Sequence, residues 1–303
     1  MTINSQAVSE VIAEHQADNF ELSSYDDWAW LYDQTVGRDY ADPLWHWILR
    51  ELLPQLKAED KVLDLCCGTG QVMRPLIDYG FNVTGLDASE QMLKYAKNNV
   101  PEATFIQADA REYVSSATYS AVVCTSASLN HIENLEDLSR VFQSVCQSLQ
   151  PGGYFLFDIN HIEQMKRWWR GLPLEGYISK DFAWMITPYF DIETNTGNFC
   201  VTFYRPYKLS TSIWQKIKNR LYELLDKPRF IGLRLKLISH FSLLQPDWSK
   251  QENSYPVVGH SLDSVESLLL DAGFSSVKIM NINSDPLVDE NHSAHFVCQK
   301  AAA

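Results

Sequence analysis

The sequence has no run of 18 or more apolar residues, and its six cysteines form no C-x-x-C pair. The first absence argues against a membrane-spanning helix, and the second argues against zinc or redox sites built on paired cysteines. The stretch MTINSQAVSEVIAEHQ also lacks the basic and apolar regions of a secretory signal. We therefore expect a cytoplasmic protein with reduced cysteines and no metal site.

Positive charge is also scarce. The chain has 25 Lys and Arg against 38 Asp and Glu, a net charge of −13, which argues against nucleic acid as the main partner. Residues 205–240 differ, because they contain nine basic residues and only two acidic ones. We interpret this segment as a solvated face, with contact to a membrane or a carrier protein as the alternative. The sequence gives no indication of an oligomeric state.

Short β-branched runs alternate with helix-length segments from Lys61 onward, a pattern that predicts a doubly wound parallel sheet. Five runs precede residue 160, and the pattern resumes near His260 with a helix and two more strands. We predict an α/β fold with three parts. They are a helical segment (1–50), a seven-stranded Rossmann-like domain (51–160 and 256–300) and an α+β insertion after strand five (161–255).

Within the insertion, a turn at Asn195 predicts a hairpin. The stretch STSIWQKIKNRLYELLD predicts a helix, because its apolar residues recur at helical spacing. Alternating leucines in FIGLRLKLISHF favour an edge strand or a basic surface segment. The insertion is also rich in aromatic residues, which line most small-molecule pockets and suggest a large apolar substrate: Trp168, Trp169, Trp184, Tyr189, Tyr204 and Trp214.

The stretch VLDLCCGTGQV, residues 62–72, places a glycine-rich turn between the first predicted strand and the first helix. Such a turn lets backbone N–H groups approach a ligand. A dinucleotide fingerprint needs a third glycine, but Met73 stands at that position. A P-loop is excluded because no Gly-Lys-Ser/Thr follows. A ligand without a pyrophosphate is therefore favoured.

Three carboxylates belong to successive predicted strands: Asp64, Asp87 and Asp109. The carboxyl ends of parallel strands meet at one edge of the sheet, where such folds bind ligands. Asp87 suits a ribose diol, Asp109 suits an adenine amine, and Asp64 suits an ammonium group. S-Adenosylmethionine has all three groups and no phosphate. The alternative is that each carboxylate only caps a helix or a turn.

The ordered series VLDLCCGTGQV, VTGLDASEQMLKYA, FIQADARE, SAVVCTSASLNHI and LQPGGYFLFDIN resembles motifs one to five of the class I methyltransferases. With the upstream WAWLYDQTVGRDYADPLWHWIL, it is similar to their glycine N-methyltransferase-like branch. The resemblance covers residues 61–160 in full and the strands after 260 more loosely. One departure is Cys66, which stands where the family pattern often has glycine.

The resemblance implies a methyltransferase that uses S-adenosylmethionine and whose N-terminal segment closes over the cofactor. His131, just after strand four, would face the substrate and accept a proton, unless it only caps the next helix. Tyr32 and Arg38 would cover the cofactor, and Arg38 would pair with its carboxylate. The catalytic residues are then His131 and Tyr32. The cofactor-binding residues are Tyr32, Arg38, Asp64, Cys66, Gly68, Gly70, Asp87, Ala88, Met92, Asp109, Ala110 and Thr125.

We predict methyl transfer to a nitrogen or an oxygen of a small-molecule metabolite, with nitrogen preferred. Such a displacement depends chiefly on alignment of nucleophile, methyl group and sulfur, and it needs no metal. One alternative is methylation of a carbon or a carboxyl group on a lipid-like or carrier-bound acceptor. The other is a protein that binds S-adenosylmethionine without catalysis.

Overall fold

The structure, a computed structural model, describes residues 24–207 and 213–302. The chain forms two compact units. The major unit contains the described residues up to Gln164 and those from Val258 onward. The inserted unit is Met165–Val257. Of the predicted N-terminal segment 1–50, the first 23 residues lie outside the described part of the chain.

The major unit is built on a seven-stranded sheet with the order β10-β11-β5-β4-β1-β2-β3. The pairs from β3 through β5 are parallel, and β11 is antiparallel to both of its neighbours. The strand order reverses between β1 and β4, which is where doubly wound sheets bind ligands. The predicted Rossmann-like sheet is confirmed. Its strands are β1 (Lys61–Leu65), β2 (Asn82–Asp87), β3 (Thr104–Gln107), β4 (Tyr119–Cys124), β5 (Leu149–Ile159), β10 (Phe274–Met280) and β11 (Ala294–Lys300).

Helices follow most strands, and three of them begin at a capping side chain, at Ser89, Asn134 and Ser261. Ser89 Oγ accepts a hydrogen bond from the backbone N–H of Met92 at 3.1 Å, which confirms the predicted cap after β2. The helices are α1 (Ser24–Gln34), α2 (Val36–Glu51), α3 (Met73–Asp78), α4 (Glu90–Asn99), α5 (Leu135–Ser148), α6 (Ile162–Trp168), α7 (Ile213–Leu225), α8 (Ile231–Ser239), α9 (Phe241–Leu244) and α10 (Leu262–Asp271).

Successive side chains of β5 point to opposite faces of the sheet, and both faces are buried. Phe155 and Phe157 pack with Phe142 of α5 on one face. Leu156 belongs to the core of the other face, together with Trp47 of α2. Each fully buried side chain of this size contributes about 1.5–3 kcal/mol. Packing on both faces therefore fixes the strand ends that carry the candidate site.

The inserted unit has a four-stranded sheet with the order β6-β7-β8-β9. β7 and β8 form the predicted hairpin, with Asn195 in its turn at a φ of +53°. The helices α7, α8 and α9 lie between β8 and β9 in the sequence. The strands are β6 (Glu175–Ile178), β7 (Ala183–Asp191), β8 (Thr196–Pro206) and β9 (Trp248–Val258).

The edge strand predicted for FIGLRLKLISHF is a wrong prediction, because most of this stretch forms the helix α8. A Cβ added at Gly176 of β6 would lie 2.9 Å from Leu235 and 3.2 Å from Ile238. These two residues are three positions apart, so they share one face of a helix. The leucine alternation fits a strand equally well, and packing against β6 decides in favour of the helix.

The sequence predicts that Ile213, Ile217, Leu221, Leu224 and Leu225 share one face of α7, but this face is only partly buried. Ile217, Leu221 and Leu224 are exposed, whereas Tyr222 and Leu225 are buried. The sequence pattern identifies one helical face, but only the packing shows whether that face is covered.

Candidate active site at the carboxyl edge of the sheet

The loop Cys66–Gly70, which follows β1, is tightly turned. Three of its residues have positive φ angles: Cys66 (+56°), Gly68 (+54°) and Gly70 (+84°). Glycine adopts this conformation freely, but a side chain there costs about 1 kcal/mol or more. Cys66 therefore stores strain at the position where the family pattern often has glycine. Strain of this kind is found most often at ligand-binding sites.

The Asp87 carboxylate joins this loop to the start of α4. One oxygen accepts the backbone N–H of Gly68 at 2.9 Å, and the other accepts that of Ser89 at 2.8 Å. Burial raises the pKa of Asp87, although the two backbone hydrogen bonds oppose the rise. Each carboxylate oxygen can still accept a second hydrogen bond. Asp87 is therefore positioned by the loop and remains able to bind a pair of hydroxyl groups.

Asp64 is the most unusual group of the site. Its side chain is 1% exposed, and neither carboxylate oxygen has a hydrogen-bond partner. Burial, and then the nearby charge of Asp87, raise its pKa to about 8. A buried carboxylate without a partner is strongly disfavoured, so the group holds a proton near neutrality. A cation brought to Asp64 would displace that proton.

Tyr32 of α1 lies over the glycine-rich loop. A Cβ at Gly37 would lie 2.7 Å from Tyr32 Cε1, and a Cβ at Gly68 would lie 3.5 Å from it. The Tyr32 hydroxyl donates a hydrogen bond to Ser126 Oγ at 3.4 Å. Burial, followed by the charges of neighbouring carboxylates, raises the pKa of Tyr32 to about 12. Tyr32 is therefore a neutral hydroxyl donor, and the glycines leave room for its ring.

Asp33, the next residue, ties α1 to the loop and to α4. Its Oδ1 accepts hydrogen bonds from Gln71 Nε2 at 3.2 Å and from Asn99 Nδ2 at 2.5 Å. Asn99 Nδ2 also donates to the backbone oxygen of Thr69 at 2.8 Å. The sequence analysis assigned no role to Asp33. Its partners are 38 and 66 residues away, so no local pattern indicates them.

Asp158, near the end of β5, is a further carboxylate that the sequence analysis missed. Its Oδ2 accepts the backbone N–H of Ala127 at 3.0 Å, and its buried Oδ1 has no partner. Ser126 and Ala127 both have positive φ angles, +63° and +55°. Burial raises the pKa of Asp158 to about 7. The sequence does contain one signal for Asp158, which is its position. It is an acidic residue next to the end of an apolar strand, as Asp87 is at the end of β2.

The neighbouring cysteines pack on the sheet and are reduced. Cys67 belongs to the core of one face, whereas Cys66 packs against the core of the other. The thiols of Cys66 and Cys124 are hydrogen-bonded, and this contact and burial raise the pKa of Cys124. The raised pKa means that the Cys124 thiol is neutral.

Asp109 differs from Asp64 and Asp87 because its carboxylate already has a cationic partner. Arg111 Nη2 lies 2.6 Å from its Oδ2, and Arg111 also binds Asp137 at 3.0 Å. The Arg111 hydrogen bond lowers the pKa of Asp109. This ion pair holds the loop after β3, and adenine recognition by Asp109 stays a prediction.

The remaining predicted residues occupy different environments. His131 is exposed and ends the short 3₁₀ turn Ser128–His131 after β4. Arg38 is exposed on α2. Ala88 is exposed, whereas Met92, Ala110 and Thr125 are buried. The roles given to these residues stay predictions.

The fold is that of Rossmann-like S-adenosylmethionine-dependent methyltransferases. Residues 62–153 match the family model described as a methyltransferase domain. Two solved structures resemble almost the whole chain. A S-adenosylmethionine-dependent methyltransferase from Clostridium acetobutylicum covers 92% of this chain and 100% of its own, with a TM-score of 0.67 and 16% identity. Streptomyces venezuelae DesVI covers 93% and 100%, with a TM-score of 0.65 and 19% identity.

Curated relatives match about half of the chain. A putative methyltransferase from Bacillus subtilis, YqeM, is 36% identical over 140 residues, which are 45% of this chain and 55% of the relative. A dTDP-3-amino-3,4,6-trideoxy-alpha-D-glucopyranose N,N-dimethyltransferase from Streptomyces venezuelae is 28% identical over 148 residues, 48% of this chain and 58% of the relative. The chain thus spans less than two thirds of each of these relatives.

Within residues 24–207 and 213–302, no helix is long and apolar enough to cross a membrane. The same residues contain no group of three or more His, Cys, Asp or Glu side chains arranged to hold a metal ion.

Proposed function

We propose that this chain transfers a methyl group from S-adenosylmethionine to a nitrogen or an oxygen of a small-molecule metabolite, with nitrogen preferred. The observation that carries the proposal is the buried, unpartnered carboxyl group of Asp64 beside a strained glycine-rich loop. The methyltransferase-domain match over residues 62–153 supports it. We also propose the glycine N-methyltransferase-like branch, supported by the aromatic helix α1 over the loop.

The residues present fit this cofactor. Asp64 offers two unpartnered oxygens to an ammonium group, and Asp87 offers its remaining lone pairs to the ribose hydroxyls. Tyr32 covers the loop between them. When bound, the sulfonium supplies the methyl group that is transferred.

Asp64 has to lose its proton when an ammonium group binds. Its pKa of about 8 reflects burial and the charge of Asp87, and a cation in contact with its oxygens reverses both effects. The carboxylate thereby obtains the partner that it lacks in the free protein. Ligand binding is then coupled to proton release near neutral pH.

The acceptor also needs a group that removes a proton, because an amine arrives as an ammonium ion near neutral pH. His131 is the predicted base. Asp158 is a second candidate, since its Oδ1 is buried without a partner and its pKa is about 7. A base with a pKa near the working pH is the most effective.

We propose that residues 161–255 recognise the acceptor. The aminosugar N,N-dimethyltransferase among the relatives supports nucleotide-linked aminosugars as the first acceptors to test. The net charge of −13 supports a partner set without nucleic acid. Six free cysteines support a reducing, cytoplasmic location.

The proposal is tested with the whole chain by calorimetry and by a methyl-transfer assay. We expect S-adenosylhomocysteine to bind at one site and methyl groups to appear on an amine acceptor. His131→Ala and Asp158→Asn should each leave cofactor affinity within about twofold, and the variant that lacks the base should lose turnover. Cofactor binding without transfer to any amine or hydroxyl acceptor would favour a binding protein. Absence of cofactor binding would contradict the proposal itself.

A further inference from the structure

The helical layer of the inserted unit, defined as residues 217–244, exposes an unusual number of large apolar side chains. Leu243 is 81% exposed and Leu233 is 57% exposed. The described chain has 17 exposed large hydrophobic residues, and this short layer contains seven of them. They are Ile217, Leu221, Leu224, Ile231, Leu233, Leu243 and Leu244.

These side chains are not needed for the core of the inserted unit. Tyr222, Ile238 and Phe241 are buried and form that core with residues of β6, β7 and β8. A helix that covers one sheet normally presents polar residues on its opposite side. The helical layer instead has one apolar side packed on the sheet and a second apolar set in water. Exposed apolar surface of this kind marks an interaction site.

The charge of the layer has the opposite sign to that of the protein. Its exposed charged residues include Arg220, Lys227, Arg229 and Lys236, whereas Glu223 is the exposed acidic residue among residues 217–244. The layer's other acidic residue, Asp226, lies 3.2 Å from Arg234. The whole chain has a net charge of −13. The layer is therefore a basic and apolar surface on an acidic protein.

We propose that the helical layer docks the protein on an anionic phospholipid surface. Leucines and isoleucines interleaved with Lys and Arg are the composition that lies in the boundary between headgroups and acyl chains. The basic residues complement the phosphate groups. A face that is only solvated would account for the charges but not for seven exposed large apolar side chains within residues 217–244. No helix of the described chain spans a bilayer, so the protein lies on the surface.

The test is co-sedimentation of the whole chain with vesicles of phosphatidylcholine alone or mixed with phosphatidylglycerol. We expect binding to the mixed vesicles, weak binding to the neutral ones, and a loss of binding as salt is raised. The double variant Arg229→Glu/Lys236→Glu should lower the partition coefficient about tenfold or more, because each basic residue contributes about fivefold near such a surface. Equal binding to both kinds of vesicle would overturn the proposal.

The apolar contribution is tested with Leu233→Ser/Leu243→Ser, which should also weaken binding about tenfold. The control is Leu287→Ser, because Leu287 is 69% exposed but lies in the major unit; it should bind like the unchanged protein. Circular dichroism checks that all variants fold. If the protein instead forms a dimer that Leu233→Ser/Leu243→Ser dissociates, and binds no vesicles, a second copy occupies the face and the proposal is wrong.

Discussion

The two units of this protein depart from ordinary burial in opposite directions. The major unit buries the carboxyl group of Asp64, whose two oxygens lack partners, and that of Asp158, whose Oδ1 lacks one. The inserted unit exposes seven large apolar side chains within residues 217–244, among them Leu233 and Leu243. Charged groups are rarely buried alone, and extended apolar surface is rarely left in water. Each departure has a cost in the free protein, so each indicates something that the unit binds.

The comparison also distinguishes features that other methyltransferases share from features that are particular to this protein. The methyltransferase-domain match, residues 62–153, lies entirely within the major unit. The unpartnered carboxyls of that unit suit a small cationic ligand held at strand ends. The exposed leucines and basic residues suit a broad surface. We therefore propose that the cofactor chemistry belongs to the sheet of the major unit, and that the inserted unit sets where and on what the protein acts.

The largest expected effect is that of Asp64→Asn, which removes the proposed partner of the ammonium group. We expect S-adenosylhomocysteine to bind more weakly by about 3–5 kcal/mol at pH 8, the cost of breaking a buried charged pair. Isothermal titration calorimetry measures it. The matched control is Asp78→Asn, because the Asp78 side chain is 66% exposed in the same unit. Unchanged affinity in Asp64→Asn would remove Asp64 from the site.

The same substitution should stabilise the free protein at pH 8. The pKa of Asp64 is raised to about 8 in the folded state, so the folded state holds a proton that the unfolded state loses above about pH 4. The free energy of unfolding therefore falls as pH rises from about 4 to about 8. Asp64→Asn removes this pH-dependent loss of stability. Its free energy of unfolding at pH 8 should therefore be higher by about 1 kcal/mol or more. Thermal melting at pH 5 and pH 8 would show a larger gain at pH 8 than at pH 5.

Asp87→Ala should weaken cofactor binding by about 1–3 kcal/mol, through the loss of charged hydrogen bonds to the ribose. It also releases the backbone N–H groups of Gly68 and Ser89. Asp87→Asn separates these effects, because its side-chain oxygen can still accept one of the two N–H groups. Calorimetry in which Asp87→Ala binds as tightly as the unchanged protein would exclude the ribose role.

Asp158→Asn should change how stability depends on pH. The pKa of Asp158 is raised from 3.8 to about 7 by burial, so it too makes the folded protein less stable as pH rises between about 4 and about 7. The variant should reduce that slope by up to about 1.4 kcal/mol per pH unit. Urea unfolding at pH 5, 6 and 7 measures the slope. An identical slope in both proteins would mean that Asp158 ionises normally.

The smallest effect is expected for Tyr32→Phe, which keeps the ring over the loop and removes only the hydrogen bond to Ser126. A bond of 3.4 Å to a neutral hydroxyl should contribute about 0.5 kcal/mol to holding the ring in place, so cofactor affinity should fall by no more than that. Tyr32→Ala should lose more, because it opens the space that Gly37 and Gly68 leave for the ring. Equal affinities for these two variants would show that the ring does not cover the cofactor.

The sequence predicts the parts of this molecule that local physics decides. The sheet strands follow from their apolar runs, the start of α4 follows from the Ser89 cap, and the hairpin follows from Asn195. The loop at Gly68 and the position of Asp87 follow from the spacing of glycine and acidic residues. In each case the necessary information lies within a few residues.

The missed features depend on contacts between distant residues. Asp33 acquires its role from Asn99, and Asp158 from Ala127, so neither has a local signature. The helix α8 is decided by its packing on β6 near Gly176. The exposure of Leu221 is decided by which side of α7 meets the sheet. A sequence pattern can define a face of a helix, but it does not show what covers that face.

The central claim is that Asp64 holds a proton until an ammonium group replaces it. The most direct test is calorimetric titration of the whole chain with S-adenosylhomocysteine at pH 7, in two buffers of different ionisation enthalpy. We expect one binding site with release of most of one proton to the buffer, and no such release in Asp64→Asn. Binding with no proton release, or no binding at all, would contradict it.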